Sequence, residues 1–173
     1  EFAALLSPDH PIVVLVGDPG SGKSALLSKF AAEELDAGAT VLAIKADRLP
    51  STVHDATTLA TAIGFVGDVG ATLAGLVGTG PTILILDQLD ALADLVDHRT
   101  ERLSVCLDLI EHVARAGVRV VVSSRPVDLA HDIRFDRLQS APRVTLALPP
   151  ASEVARVLER AGVAPVSAAT SCR

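Results

Sequence analysis

Apolar and polar positions alternate along the chain in two rhythms. Short continuous apolar runs fall at residues 12–16, 40–44, 82–86, 118–122 and 144–148, mostly Val, Ile and Leu, each bounded by Gly, Pro or polar residues. Uninterrupted runs of this length suit strands buried on both faces of a parallel sheet. Between them the apolar positions move to helical spacing. Residues 24–37 form one such stretch, with Gly38 placed to end it. Residues 52–63 and 69–77 are less marked. The clearest is 101–116, with Leu103, Cys106, Leu107, Ile110, Val113 and Ala114 on one stripe and Gly117 as the stop. A helix is expected over 128–138, and a last one over 152–161, with Val154, Val157, Leu158 and Ala161 on one side and Gly162 behind it. Strands alternating with helices predict an α/β fold: five parallel strands covered by helices on both faces. No repeat is evident. Residues 1–11 read as a linker, 12–162 as the domain, and 163–173 as a small, polar, frayed tail.

The turn after the first run carries the chemistry. Gly17-Asp18-Pro19-Gly20-Ser21-Gly22-Lys23-Ser24 fits the phosphate-binding spacing GxxxxGK(S/T), and Ala25 follows in the same turn. The strand before and helix after it are the context the motif requires. Glycines let the backbone close on an anion and aim its N–H groups inward. A helix beginning near Gly22 adds the positive end of its dipole. Lys23 is placed to reach the β- and γ-phosphates of a nucleoside triphosphate, and the Ser24 hydroxyl to ligate Mg²⁺.

A triphosphate with Mg²⁺ also needs an acid at the tip of a neighbouring strand. Asp87 follows Ile83-Leu84-Ile85-Leu86, at the end where open α/β sheets bind ligands. It is expected to hold Mg²⁺ through water or through Ser24. The next residue is Gln88, where many phosphate-loop ATPases place a water-orienting glutamate. Asp90 is the alternative acid if the chain turns back there; a local reading makes it a helix N-cap instead. The fourth run ends in Ser123-Ser124-Arg125. A guanidinium at that point suits a sensor of the γ-phosphate.

Composition narrows the classes. Apolar residues make up 49% of 173, enough for one ordinary core, and the formal net charge is −6. That balance argues against nucleic acid as a partner, all the more because the arginines between Arg125 and Arg160 are interleaved with Asp128, Asp132, Asp136, Glu153 and Glu159. Residues 69–86 carry no charge, but Gly70, Gly75, Gly78, Gly80 and Pro81 make a helix, a turn and a strand of them rather than a membrane span. Cys106 and Cys172 have no metal or redox spacing, so Cys106 reads as a buried thiol in a reducing, cytoplasmic setting. The five histidines show no ligand spacing. Lys45-Ala46-Asp47 follows the second strand, too early for a guanine-reading motif. Asp94, Asp97, Arg99 and Glu101 read as a solvated face. The chain holds no methionine and opens on Glu1-Phe2, which suggests a piece of a longer protein.

In order, GDPGSGKS, LAIKADRLP, ILILDQLDAL, VVVSSRPVDL and LALPPASEVARVLERAG resemble the STAND class of P-loop NTPases, the NACHT and AP-ATPase branch close to AAA+ ATPases. The resemblance spans nearly the whole chain. It implies a three-layer P-loop NTPase fold and an ATP-driven switch in a multidomain signalling or regulatory protein, with ATP or ADP and Mg²⁺ as cofactors. By position it makes Lys23, Ser24 and Asp87 phosphate and Mg²⁺ groups, Asp90 a second acid and Arg125 the sensor. It further implies partner segments beyond residue 162, helical, winged-helix and effector domains, and nucleotide-dependent self-association. Two other readings remain open at this level. A small-molecule kinase would use the same loop with a basic lid, for which Arg134 and Arg137 are candidates. A binding scaffold with weak catalysis is compatible with Gln88.

Overall fold

The computed structural model describes residues 5–7, 9–93, 101–148 and 150–162. Its strands are β1 (Ile12–Gly17), β2 (Thr40–Lys45), β3 (Thr82–Asp87), β4 (Arg119–Ser124) and β5 (Arg143–Leu146). Its helices are α1 (Lys23–Asp36), α2 (Ala56–Ala62), α3 (Val69–Leu76), α4 (Arg102–Arg115), α5 (Pro126–His131) and α6 (Ala151–Arg160). The strands form one sheet in the order β2-β3-β4-β1-β5, every pairing parallel.

Alternation along each strand divides the core in two. Val14, Val16, Leu84, Leu86, Val120 and Val122 face Leu59, Leu73 and the α4 stripe of Leu103, Cys106, Leu107, Ile110 and Val113. Val13, Leu15, Ile83, Ile85 and Val121 face Leu27 and Phe30 of α1. The central strands are therefore apolar on both sides, and α1 covers one face while α2, α3 and α4 cover the other. The expected three-layer architecture is the one observed, and Cys106 is buried as a thiol.

Boundaries differ where local chemistry overrides the apolar pattern. α2 starts at Ala56 rather than 52 because Asp55 caps it, accepting from Thr58 N–H in a capping box. The helix expected over 128–138 is two pieces. α5 starts at Pro126 and ends at His131, and Asp132 then caps a 3₁₀ turn over Ile133–Leu138 by accepting from Arg134 N–H. β4 begins at Arg119, one residue after the expected start, and runs through Ser124, in register with Leu15 and Val16 of β1. β5, an edge strand, stops at Leu146. α6 forms, yet none of its residues is buried. The solvated face proposed for Asp94, Asp97 and Arg99 lies outside the described residues, as do the 163–173 tail and Cys172.

The strand order matters for function. From β1 the chain crosses to the far edge at β2, returns through β3 and β4, and passes β1 to reach β5. The carboxyl ends of β3, β4 and β1 thus stand side by side next to a reversal of direction, where ligands of open α/β sheets bind.

Candidate functional site

The turn leaving β1 is held open. Gly17 ends the strand, and a Cβ there would meet Ser21 Oγ at 2.6 Å and the Leu146 carbonyl oxygen at 2.8 Å. Gly20 and Gly22 have φ of 81° and 92°, a conformation that side chains strain. Gly22 is the N-cap of α1, with no side-chain cap and no acidic residue in the first turn. The leading N–H groups of the helix therefore have neither a side-chain acceptor nor a carboxylate to offset the dipole, the arrangement in which helix starts take anions.

Lys23 is buried, and its ammonium folds back over the turn, donating to the Gly17 carbonyl at 2.5 Å and to the Asp18 carbonyl at 3.1 Å. Among the described residues it makes no ion pair, so its charge is held by neutral oxygens only. A cleft of about 450 Å³ opens in front, lined by Pro19, Gly20, Gly22, Lys23, Ser24, Ala25, Gln88, Asp90 and Arg125. Gly17, Asp18 and Ser21 build the turn from behind without lining the cleft; the Asp18 carbonyl accepts from Ser21 N–H.

The two strand-end acids take different positions. Asp87 is the last residue of β3, buried, and does not line the cleft. Its Oδ1 accepts from Ser123 Oγ at 2.6 Å, and its Oδ2 lies 3.8 Å from Lys45 Nζ, at the tip of β2. Asp90 does line the cleft. The chain bends at Gln88 into a 3₁₀ turn over Leu89–Leu92, and Asp90 lies inside that turn, so it is not the N-cap of the local reading. Its Oδ2 stands 2.8 Å from Arg125 Nε, while its Oδ1 is buried with no hydrogen-bond partner. Burial pushes the Asp90 carboxyl above the usual carboxylate range; Arg125 pulls it back, Asp128 pushes it up, and Lys23 pulls it down.

Arg125 is the first residue after β4 and the N-cap of α5. Its Nε lies 2.8 Å from Asp90 and 2.8 Å from Asp128 Oδ2, so one guanidinium stands between two carboxylates at the mouth of the cleft. The structure thus brings Lys23, Ser24, Ala25, Asp90 and Arg125 together and sets Asp87 just behind them. Arg134 and Arg137, the cationic candidates of the kinase reading, point elsewhere: Arg134 pairs with Asp132, and Arg137 pairs with Glu111 and Asp108. From the sequence alone Asp128 and Lys45 carry no site role, and Ser123 enters only as part of the polar end of the fourth run, beside Arg125.

The donors suit a hard cation. Ser24 and Asp90 line the cleft and Asp87 stands behind it, hydroxyl and carboxylate oxygens of the kind Mg²⁺ prefers.

An anion-ready helix start, a lysine held by backbone and an acid–arginine pair, all at the carboxyl edge of a parallel sheet, define a nucleotide-binding α/β domain of the P-loop NTPase kind. The chain belongs to the AAA ATPase domain family, which matches residues 1–169. Among solved structures, AMPPCP-bound DnaA from Aquifex aeolicus superposes with a TM-score of 0.59 at 15% identity over 93% of this chain and 47% of its own. A DNA replication initiation factor gives 0.62 at 16% identity, over 95% of this chain and 49% of its own. The E. coli MS115-1 HORMA:CdnC:Trip13 complex gives 0.54 at 22% identity, over 93% and 56%. This chain therefore spans about half the length of these structures, and at such identities the likeness is one of fold. No curated protein sequence matches. No helix among the described residues is long and apolar enough to cross a membrane.

Proposed function

We propose that this domain binds ATP and ADP with Mg²⁺, hydrolyses ATP slowly, and serves as the switch module of a longer, cytoplasmic STAND-class signalling or regulatory protein. The observation that carries the reading is the convergence of loop, acid and arginine on one cleft: Lys23 and Ser24 from the turn, Asp90 from beyond β3 and Arg125 from beyond β4. That a DnaA of the same fold was solved bound to AMPPCP supports it.

Each residue has a task in this reading. The N–H groups at the start of α1 cradle the phosphates, and Lys23 exchanges the carbonyls of Gly17 and Asp18 for phosphate oxygens. Ser24 and Asp87 would hold Mg²⁺, which neutralises charge between the terminal phosphates when bound. Asp90, poised high by burial, accepts the proton of the attacking water. Arg125 reads the γ-phosphate and loosens its hold on Asp90 as it does so, which ties sensing to chemistry. The output passes to domains outside this chain, and nucleotide-dependent self-association belongs to the same reading.

A titration of ATP, ADP and GTP with and without Mg²⁺, followed by thermal unfolding, tests this. A ligand at one hundred times its dissociation constant adds about 2.7 kcal/mol of stability. We expect that gain for the adenine nucleotides, and expect Lys23→Ala to abolish it. Equal midpoints with and without nucleotide in the unaltered protein would refute the proposal.

A further inference from the structure

One fully buried hydroxyl behind the cleft makes two bonds that matter to it. Ser123 Oγ donates to Asp87 Oδ1 at 2.6 Å and accepts from the Gln88 backbone N–H at 2.8 Å. The same group thus fixes the acid at the end of β3 and the peptide that follows it, using both its donor and an acceptor lone pair. That peptide is unusual. Gln88 has φ 61° and ψ 46°, and it is the one non-glycine residue with positive φ among the described residues. A side chain in this region is strained, and the conformation persists where the surroundings over-determine it. Its consequence is geometric. The left-handed step turns the chain out of β3 at once, buries Leu89 and Leu92 in the core and leaves Asp90 on the cleft against Arg125.

We propose that Ser123 is a positioning residue: its hydroxyl clamps Asp87 and the left-handed Gln88 together, and so sets where both acids stand relative to the phosphate loop. Its effect on the acids rests on the cleft being the Mg²⁺–nucleotide site proposed above; its effect on Gln88 does not, and the two are separable.

The first arm needs no nucleotide. Denaturant unfolding is measured for the unaltered protein, Ser123→Ala, Gln88→Gly and the double variant. Glycine adopts positive φ without strain, so Gln88→Gly raises the midpoint and Ser123→Ala lowers it. If the hydroxyl holds residue 88 in its turn, Ser123→Ala costs less when residue 88 is already glycine. Equal cost in both backgrounds makes Ser123 a space-filling residue and overturns the clamp. Should Ser123→Ala fail to fold, Ser123→Cys, of the same shape with a weaker donor, runs the same cycle. The second arm follows ATP-dependent stabilisation against Mg²⁺ concentration. Loss of a group orienting a metal-side acid shifts the Mg²⁺ requirement upward about 10- to 100-fold, while ADP binding without Mg²⁺ stays unchanged. If the unaltered protein ignores nucleotide, the proposed function fails and the unfolding cycle still decides the clamp. If it responds and Ser123→Ala needs no more Mg²⁺ than before, the clamp does not reach the acids.

Discussion

Asp90 has one carboxylate oxygen 2.8 Å from Arg125 and the other buried without a hydrogen-bond partner. Its pKa is raised above 3.8, with burial the largest cause. For an acid whose folded pKa is raised, the favourable contribution is complete below the unfolded value and is lost as pH climbs through the folded one. At neutral pH the ionised carboxylate is therefore a net cost to the fold, even with Arg125 beside it. Asp90→Asn should raise the unfolding midpoint at about pH 7, and the gain should shrink as the pH falls through the raised pKa of the carboxyl and the native acid takes up its proton. The same substitution should slow ATP turnover, since an amide cannot accept the water's proton. Thermal melts across that range check the first claim and phosphate release the second. A lower midpoint for Asp90→Asn at neutral pH would mean that the attraction of Arg125 outweighs burial.

The phosphate turn makes its demand at the level of an element. At Gly17 an added methyl meets the Leu146 carbonyl at 2.8 Å, and that backbone belongs to β5 and cannot swing aside. Gly17→Ala should cost about 1–3 kcal/mol in unfolding free energy by overpacking. Gly22→Ala meets open space but must adopt φ 92°, at about 1–2 kcal/mol. Denaturant unfolding separates the two by their rescue: Leu146→Gly cannot relieve Gly17→Ala, because the obstacle is a carbonyl. These constraints were legible beforehand, because glycine, lysine and serine at fixed spacing state a backbone geometry. So were the central strands, whose apolar runs reflect burial on both faces. Chemistry made by neighbours was not. Ser123 and Ser124 join β4 because β1 lies alongside, which no local preference announces. Asp132 breaks a helix by capping the next turn. Gln88 bends left-handed although nothing in its side chain favours it, and the pairing of Asp90 with Arg125 exists only once β3 and β4 are neighbours.

At the scale of the molecule, the core and α6 stand in contrast. Ile110 on α4 is fully buried against the sheet, and Ile110→Ala should cost about 2–5 kcal/mol. α6 has the same amphipathic spacing but buries none of its residues, with Val154 at 41%, Val157 at 62% and Leu158 at 40% exposure, and Leu148 just before it at 56%. An apolar stripe left in water contributes little to the fold that carries it, because the hydrophobic gain comes from area removed from solvent. Replacing Val157 and Leu158 together by serine should therefore leave the unfolding free energy of this domain within about 0.5 kcal/mol, as for surface positions generally. Urea unfolding of the double variant beside Ile110→Ala reads both at once. A loss for the serine pair comparable to that of Ile110→Ala would place α6 in the cooperative core, and its apolar face would then be explained by folding alone. An unchanged midpoint means that the stripe adds nothing measurable to the stability of this fold. The same serine pair should then leave nucleotide affinity in this domain unchanged, because α6 lines no part of the cleft.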